Sequence, residues 1–287
     1  MRSAVFDRSP RGLVVVGGDD ATSFLQSLIS QDLDGIEDGQ SRSSLLLTPQ
    51  GKLDVVFRVT RVGDAWWLDT DAEYSPRLAE SLTRFRIRVK AEIDDRTALT
   101  GMLSILGRRE HRDDAVRYVQ TQWGDVEGTD ILGDREAIDR VRGNFEAGGH
   151  PVSGADAFEP FRIEHGVPRL GVDIDEKTIP QEAFLDRDAV SFTKGCFLGQ
   201  ELVARIDSRG HVNRYLRRLE VEGSAVPPTG ATIVVDEKDV GSVTSAAAIP
   251  DDGRVVALGM IRREVEPSAK VTIRIDTFEV AATVQDS

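Results

Sequence analysis

The 287-residue chain carries 49 acidic against 36 basic side chains, for a net charge of −13. That balance excludes wrapping of nucleic acid over a broad basic face, which works by releasing counterions, and leaves room only for a local basic patch. A single cysteine excludes an internal disulfide and fits a reducing cytoplasm, and apolar runs such as Leu13–Val16 and Leu45–Leu47 are far short of a membrane span.

At 31.5 kDa the chain exceeds one typical core, so two or three packed units are expected. The segment from Met1 to Asp7 lacks the apolar stretch of a secretory signal. The histidines at 111, 150, 165 and 211 show no metal-ligand spacing with each other or with the cysteine, and read as surface or loop residues.

The first element is a β-branched strand over Leu13–Val16, closed by Gly17-Gly18. Asp19 or Asp20 is then expected to cap a helix through Ile29, on which Phe24, Leu25, Leu28 and Ile29 form one stripe. The double glycine fits a tight turn better than a phosphate cradle, because neither nucleotide-binding glycine pattern is present. A hairpin follows, with strands over 44–48 and 52–60 joined by Pro49-Gln50-Gly51, and a third strand over Ala65–Thr70. Asp54 is out of character in a strand. It reads either as a carboxylate that meets a cationic or amine-bearing ligand or as a solvated residue on the outer face.

Pro76 opens a predicted helix with Leu78, Leu82 and Phe85 on one face. From Arg84 to Ile93 the period changes to two, which predicts a half-buried strand with the basic outer face Arg84, Arg86, Arg88 and Lys90. Such a stripe reads as a solvated edge or as a holder for an anionic ligand tail. A strand is expected over Leu99–Leu106 and a weak helix over Asp113–Trp123, while 124–154 has mixed periodicity. Strands and helices alternate without a regular βαβ rhythm, which argues for an α+β fold.

Phe158–Gly166 reads as a helix stopped by glycine, with Arg162 and Glu164 beside an apolar face. A long ordered loop then leads to Lys194-Gly195-Cys196-Phe197-Leu198-Gly199-Gln200-Glu201. There a lone thiol sits between two glycines, behind a lysine and ahead of a predicted short helix over Gln200–Ile206. Those features lower a thiol pKa, although a lone cysteine is also a common core filler. Beyond Asn213, five strands at short spacing predict a small antiparallel barrel, with a domain boundary that separates 1–212 from 213–287.

The cysteine motif, the following Leu202–Ile206, and Arg209-Gly210-His211-Val212-Asn213-Arg214 closely resemble the signature of the YgfZ-type folate-binding proteins, relatives of the glycine-cleavage aminomethyltransferase, or T-protein. Phe161–Arg169, Pro180–Ala183, Phe24-Leu25-Gln26, Ser30-Gln31-Asp32 and Thr48–Lys52 fit the same pattern in order, so the resemblance covers most of the chain. It is weakest between about Gly107 and Gly154.

The resemblance implies two interleaved α+β lobes around a central channel that binds tetrahydrofolate or a one-carbon derivative, with the barrel as a third lobe. It also implies a role in making or repairing iron–sulfur proteins, with a link to tRNA modification. Carried over by position, Asp54 matches the acidic residue near the folate amine and Arg162 a folate-contacting arginine, with Lys194 and Gln200 assigned beside them. Unlike the transferases, the chain has Val55 where they usually carry a second acid, and it has Cys196, which they lack. Three readings follow: a folate-binding protein with Cys196 as functional thiol, a folate-dependent aminomethyltransferase or demethylase using Asp54, and a non-enzymatic scaffold for iron–sulfur clients.

Overall fold

The computed structural model describes residues 5–108, 115–276 and 278–286. In chain order it contains β1 (Val5–Asp7), β2 (Arg11–Gly17), α1 (Ala21–Leu28), β3 (Ser41–Leu47), β4 (Leu53–Val62), β5 (Ala65–Asp71) and α2 (Ser75–Phe85). Then come β6 (Glu92–Asp95), β7 (Thr100–Leu106), β8 (Val116–Trp123), β9 (Val126–Asp134), α3 (Arg135–Ala147), β10 (Val152–Ser153), α4 (Phe158–Glu164), α5 (Asp186–Ala189) and α6 (Gln200–Arg209). The last strands are β11 (Arg214–Val221), β12 (Thr232–Val235), β13 (Lys238–Ala248), β14 (Val255–Arg262), β15 (Lys270–Ile275) and β16 (Phe278–Gln285).

The chain forms two compact units: Met1–Gln122 with Val126–Asp156 and Asp186–Ala204, and Trp123–Asp125 with Ala157–Leu185 and Arg205–Ser287. The first unit holds two five-stranded sheets, ordered β3-β4-β5-β2-β6 and β10-β1-β7-β9-β8. The chain interleaves them, since β1 enters one sheet, β2 to β6 build the other, and β7 returns to pair with β1. This is the α+β arrangement expected. One core gathers Phe24, Leu25, Leu28 and Ile29 of the predicted stripe against Leu46, Val55, Phe57, Trp66 and Leu68. Between the sheets, Leu13 packs with Met102 and Leu132.

The opposite face of β4 and β5 is polar, and it is buried nonetheless. Asp69 is fully buried and takes Arg58 at 2.9 Å and Arg11 at 2.9 Å. Arg58 reaches on to Asp130 at 2.7 Å and Arg11 to Asp71 at 2.6 Å. Ser104 donates to Asp130 at 2.5 Å and accepts from Arg8 at 3.3 Å. Burial lowers the Arg8 pKa to about 10. Burial alone would push the Asp69 carboxyl up; Arg58 and Arg11 outweigh it and hold the group below the usual carboxylate range.

In the second unit, β11-β14-β13-β12-β15-β16 close into an antiparallel barrel. It has six strands where five were expected, because Val271–Val280 is two strands that pair with each other, turned at Asp276, whose φ is 41°. Among the contacts that fasten α4 to this barrel is a buried carboxylate. Asp173 accepts from Arg162 at 2.7 Å, from Thr244 and Ser245 at 2.6 Å each, and from the Arg169 N–H at 3.0 Å.

Three local expectations are corrected. Asp20 sits at the N-cap of α1 but makes no side-chain cap; its carboxylate accepts the Lys90 N–H at 2.8 Å instead. The strand expected from Arg84 exists only as β6, which pairs with β2 through residues 92–95; residues 86–91 have no strand partner there and form a loop. The helix expected over 113–123 is β8 from Val116 onward, where its β-branched and aromatic residues join a sheet edge; Asp113 lies outside the described residues. The tract from 124 to 154 resolves into β9, α3 and β10. No helix among the described residues is long and apolar enough to cross a membrane.

Candidate functional site

Cys196 lies on the loop between α5 and α6, and its thiol is exposed, so it is not core filler. The loop around it is held by three sets of contacts within the first unit. The first is Lys194, whose ammonium donates to the carbonyls of Ile29 at 2.8 Å and Gln31 at 2.9 Å, just past the end of α1. Burial lowers its pKa to about 8 against the opposing pull of Asp32 and Asp34. Its Nζ also lies 5.5 Å from the centre of the Phe197 ring.

The second set comes from Ser30 and Gln31. The Ser30 hydroxyl donates to Ala189 O at 2.5 Å and accepts the Leu45 N–H at 2.8 Å, while its carbonyl accepts the Ser191 N–H at 2.9 Å. Gln31 donates to Asp188 O at 2.9 Å. The short Ser30-Gln31-Asp32 stretch is therefore the seat on which the cysteine loop rests.

The third set is glycine packing at the start of α6. Gly199 has φ +76°, and a Cβ there would run into Thr48 O and lie 2.9 Å from Leu47 Cβ. Gly51 has φ +74°, and a Cβ would lie 2.7 Å from Leu202 Cβ. The β3–β4 turn and the α6 start thus approach at a distance only two glycines allow. Gln200 closes the turn, its Oε1 accepting the Phe197 N–H at 2.9 Å. Around Gly195, by contrast, a Cβ would meet nothing within 4 Å.

Asp54, at the start of β4, is oriented from α2: Arg77 pairs with it at 2.6 Å and the Ser81 hydroxyl donates at 2.9 Å. It is a half-buried carboxylate held in one orientation by these two partners. Arg162 lies in the second unit, 3% exposed, and donates to Glu159, Val167 O, Asp173 and Ser245. The structure therefore places Lys194 and Cys196 on one loop that Gln200 closes from the start of α6, while Asp54 and Arg162 belong to separate local networks. Sequence reasoning missed Ser30, Gln31 and Ser81 as supporting residues; the Ser30-Gln31-Asp32 motif was the available signal. Among the described residues no cluster of His, Cys, Asp and Glu is placed to hold a metal ion. His165 lies in the turn after α4, half-buried and paired with Asp125 at 2.8 Å, and His111 lies outside the described residues.

Residues 214–287 match the family described as the glycine cleavage T-protein C-terminal barrel domain. The aminomethyltransferase T of the glycine cleavage system from Bartonella henselae has the same fold, with a TM-score of 0.87 at 20% identity over 99% of this chain and 85% of that one. Fold and barrel together define a T-protein-like α+β protein. An aminomethyltransferase of Rubrobacter xylanophilus is 28% identical over 95% of this chain and 80% of its own length. The tRNA-modifying protein YgfZ of Escherichia coli O157:H7 is 26% identical over 92% and 87%. The chain is a relative of the YgfZ proteins and the aminomethyltransferases.

Proposed function

We propose that the protein binds a reduced folate, tetrahydrofolate or a one-carbon derivative, and uses Cys196 as a functional thiol in support of iron–sulfur protein assembly or repair. The observation that supports this most is a solvent-exposed thiol on a loop anchored through Lys194, Ser191 and Gly199. A merely tolerated surface cysteine does not need so many fixed contacts around it. A lone thiol cannot hold a cluster, which takes several ligands, so the role is toward client proteins. An effect on tRNA modification, the activity in the YgfZ relative's name, follows in this reading through such clients. The work belongs in the cytoplasm, where a free thiol stays reduced.

The residues present fit a folate at Asp54, an oriented carboxylate able to face an amine or stabilise positive charge beside it. The folate would supply a carrier for a one-carbon unit. Lys194, Gln200 and Arg162 act by positioning, since their donors and acceptors hold backbone and neighbouring side chains. The fixed geometry of Asp54 also favours a second reading, a folate-dependent aminomethyltransferase or demethylase in which Asp54 takes up the amine proton.

Titration of the purified protein with tetrahydrofolate tests the ligand that both readings share, and complementation and turnover separate them. Saturable binding, weakened by Asp54→Asn, together with failure of Cys196→Ser to restore iron–sulfur enzyme activity in a deletion strain, is the expected result. Absence of folate binding with full rescue by Cys196→Ser would remove both halves of the proposal. Folate product formed from methylated amines, lost in Asp54→Asn and kept in Cys196→Ser, would install the second reading.

A further inference from the structure

The loop between α2 and β6 is built unlike a solvated edge. α2 ends at Phe85, and Arg86, with φ −75° and ψ 68°, forms an inverse γ-turn closed by the Ile87 N–H on Phe85 O at 2.9 Å. Arg88 follows with φ +58°, a left-handed conformation that an arginine adopts only at an energetic cost. The loop is braced from within by Arg86 donating to Ala91 O at 3.2 Å. At its base Lys90 exchanges backbone contacts with Asp20, accepting its N–H at 3.1 Å and donating to its carboxylate at 2.8 Å. The outcome is a fixed tip that holds Ile87 74% exposed beside Phe85 at 36% exposed.

Arg84, Arg88 and Lys90 are exposed on either side of that tip along the chain, in a molecule whose net charge is −13. Lys90 pairs with Asp19 at 3.2 Å through exposed groups, which contributes little. An apolar tip flanked along the chain by exposed arginines on a preorganised backbone is the composition of a small binding hot spot. Its size selects the partner: the six exposed residues Thr83–Arg88 are well below the roughly 20–30 residues per side of a globular interface. Its charge selects further. Nucleic acid, uniformly anionic, would be repelled by the rest of the molecule, and a branched aliphatic tip offers no stacking platform for bases. A short acidic peptide with one apolar anchor meets these cations without carrying a long anionic backbone.

We propose that the loop from Arg84 to Lys90 is a docking site for an acidic linear segment of a partner protein, with an apolar residue of that segment packed on Ile87 and Phe85 and its carboxylates on Arg84 and Arg88. The site lies on a different segment from the Cys196 loop, and the proposal does not depend on folate. The test is fluorescence anisotropy of the full-length protein with a fluorescein-labelled peptide, Glu-Asp-Glu-Leu-Phe-Glu-Asp-Glu, alongside its Ser-Ser analogue and a single-stranded oligoribonucleotide of equal charge. Expected is saturable binding of the Leu-Phe peptide, weakened about tenfold or more by Ile87→Ser and by the pair Arg84→Glu with Arg88→Glu, and weakened by salt. All three positions are exposed, so unchanged thermal unfolding serves as the folding control. No saturable binding, equal binding of the Ser-Ser analogue, equal binding by the variants, or tighter binding of the oligoribonucleotide would each overturn the proposal.

Discussion

Lys194 shows what one side chain does for the thiol two positions away. Its ammonium is desolvated by the loop it anchors, which lowers its pKa to about 8. The unfolded chain titrates this group near 10.4, so between about pH 8 and 10.4 the folded loop has released a proton that the unfolded chain still holds. Stability from this group therefore rises with pH across that window, because the cost of a buried charge is relieved. Two N–H donors remain on the neutral amine, so the contacts to Ile29 and Gln31 persist. NMR titration of isotope-labelled lysine should give Lys194 a midpoint near 8, against about 10 for exposed lysines; a midpoint near 10 would mean the side chain is not seated as described. None of this was legible in the sequence. The motif pointed at Cys196 and its neighbours, but the acceptors are main-chain carbonyls 165 and 163 residues away, which no residue type marks.

The hairpin turn and the α6 start can be compared at two glycines of the same motif. Gly199 combines a left-handed φ with contact against Thr48 and Leu47, whereas Gly195 faces open space. Gly199→Ala should lose about 2 kcal/mol or more in urea unfolding, while Gly195→Ala should stay within about 0.5 kcal/mol. Equal effects would contradict the close approach of the two segments. In the sequence both glycines read alike, as flexibility around a thiol. The barrel was legible, since β-branched runs alternate with Gly-, Pro- and Asp-rich turns; its sixth strand was hidden because Asp276 makes a left-handed turn without glycine. The loop after α2 misread for the opposite reason. Its alternation is real from Val89 to Ile93, which face the core, yet Ile87 is exposed, so the pattern runs on into residues that no sheet or core covers.

The first unit is assembled around a charge network that pattern reading could not see. Arg58 sits opposite Phe57 and Val59 on β4, where alternation predicts a solvent face; a second sheet covers that face instead, and Asp69, Asp130 and Arg11 complete the pairing. Hydrophobic alternation separates two faces and cannot tell water from another polar face. Removing Asp69 leaves two guanidinium groups without their central partner, so Asp69→Ala should cost about 3–5 kcal/mol in denaturant unfolding at pH 7. A carboxyl held below the usual range contributes stability that is present above about pH 4, its unfolded value, and is lost as pH falls through its folded one. The gap in unfolding midpoint between wild type and Asp69→Asn should accordingly narrow below about pH 4. A constant gap down to pH 2 would show that the ion pairs contribute no net stability.

The order in which the chain visits its sheets also sets the order in which it can fold. β1 cannot be flanked until β7 and β10 have been made, and the end of α1 must wait for Lys194, 165 residues later. At roughly 5–20 residues per second of translation, Ile29 and Gln31 stay without that partner for about 10–30 s after they emerge. The cysteine loop is among the last segments of the first unit to dock, so during synthesis the thiol emerges before its loop has been seated on Ser30 and Gln31.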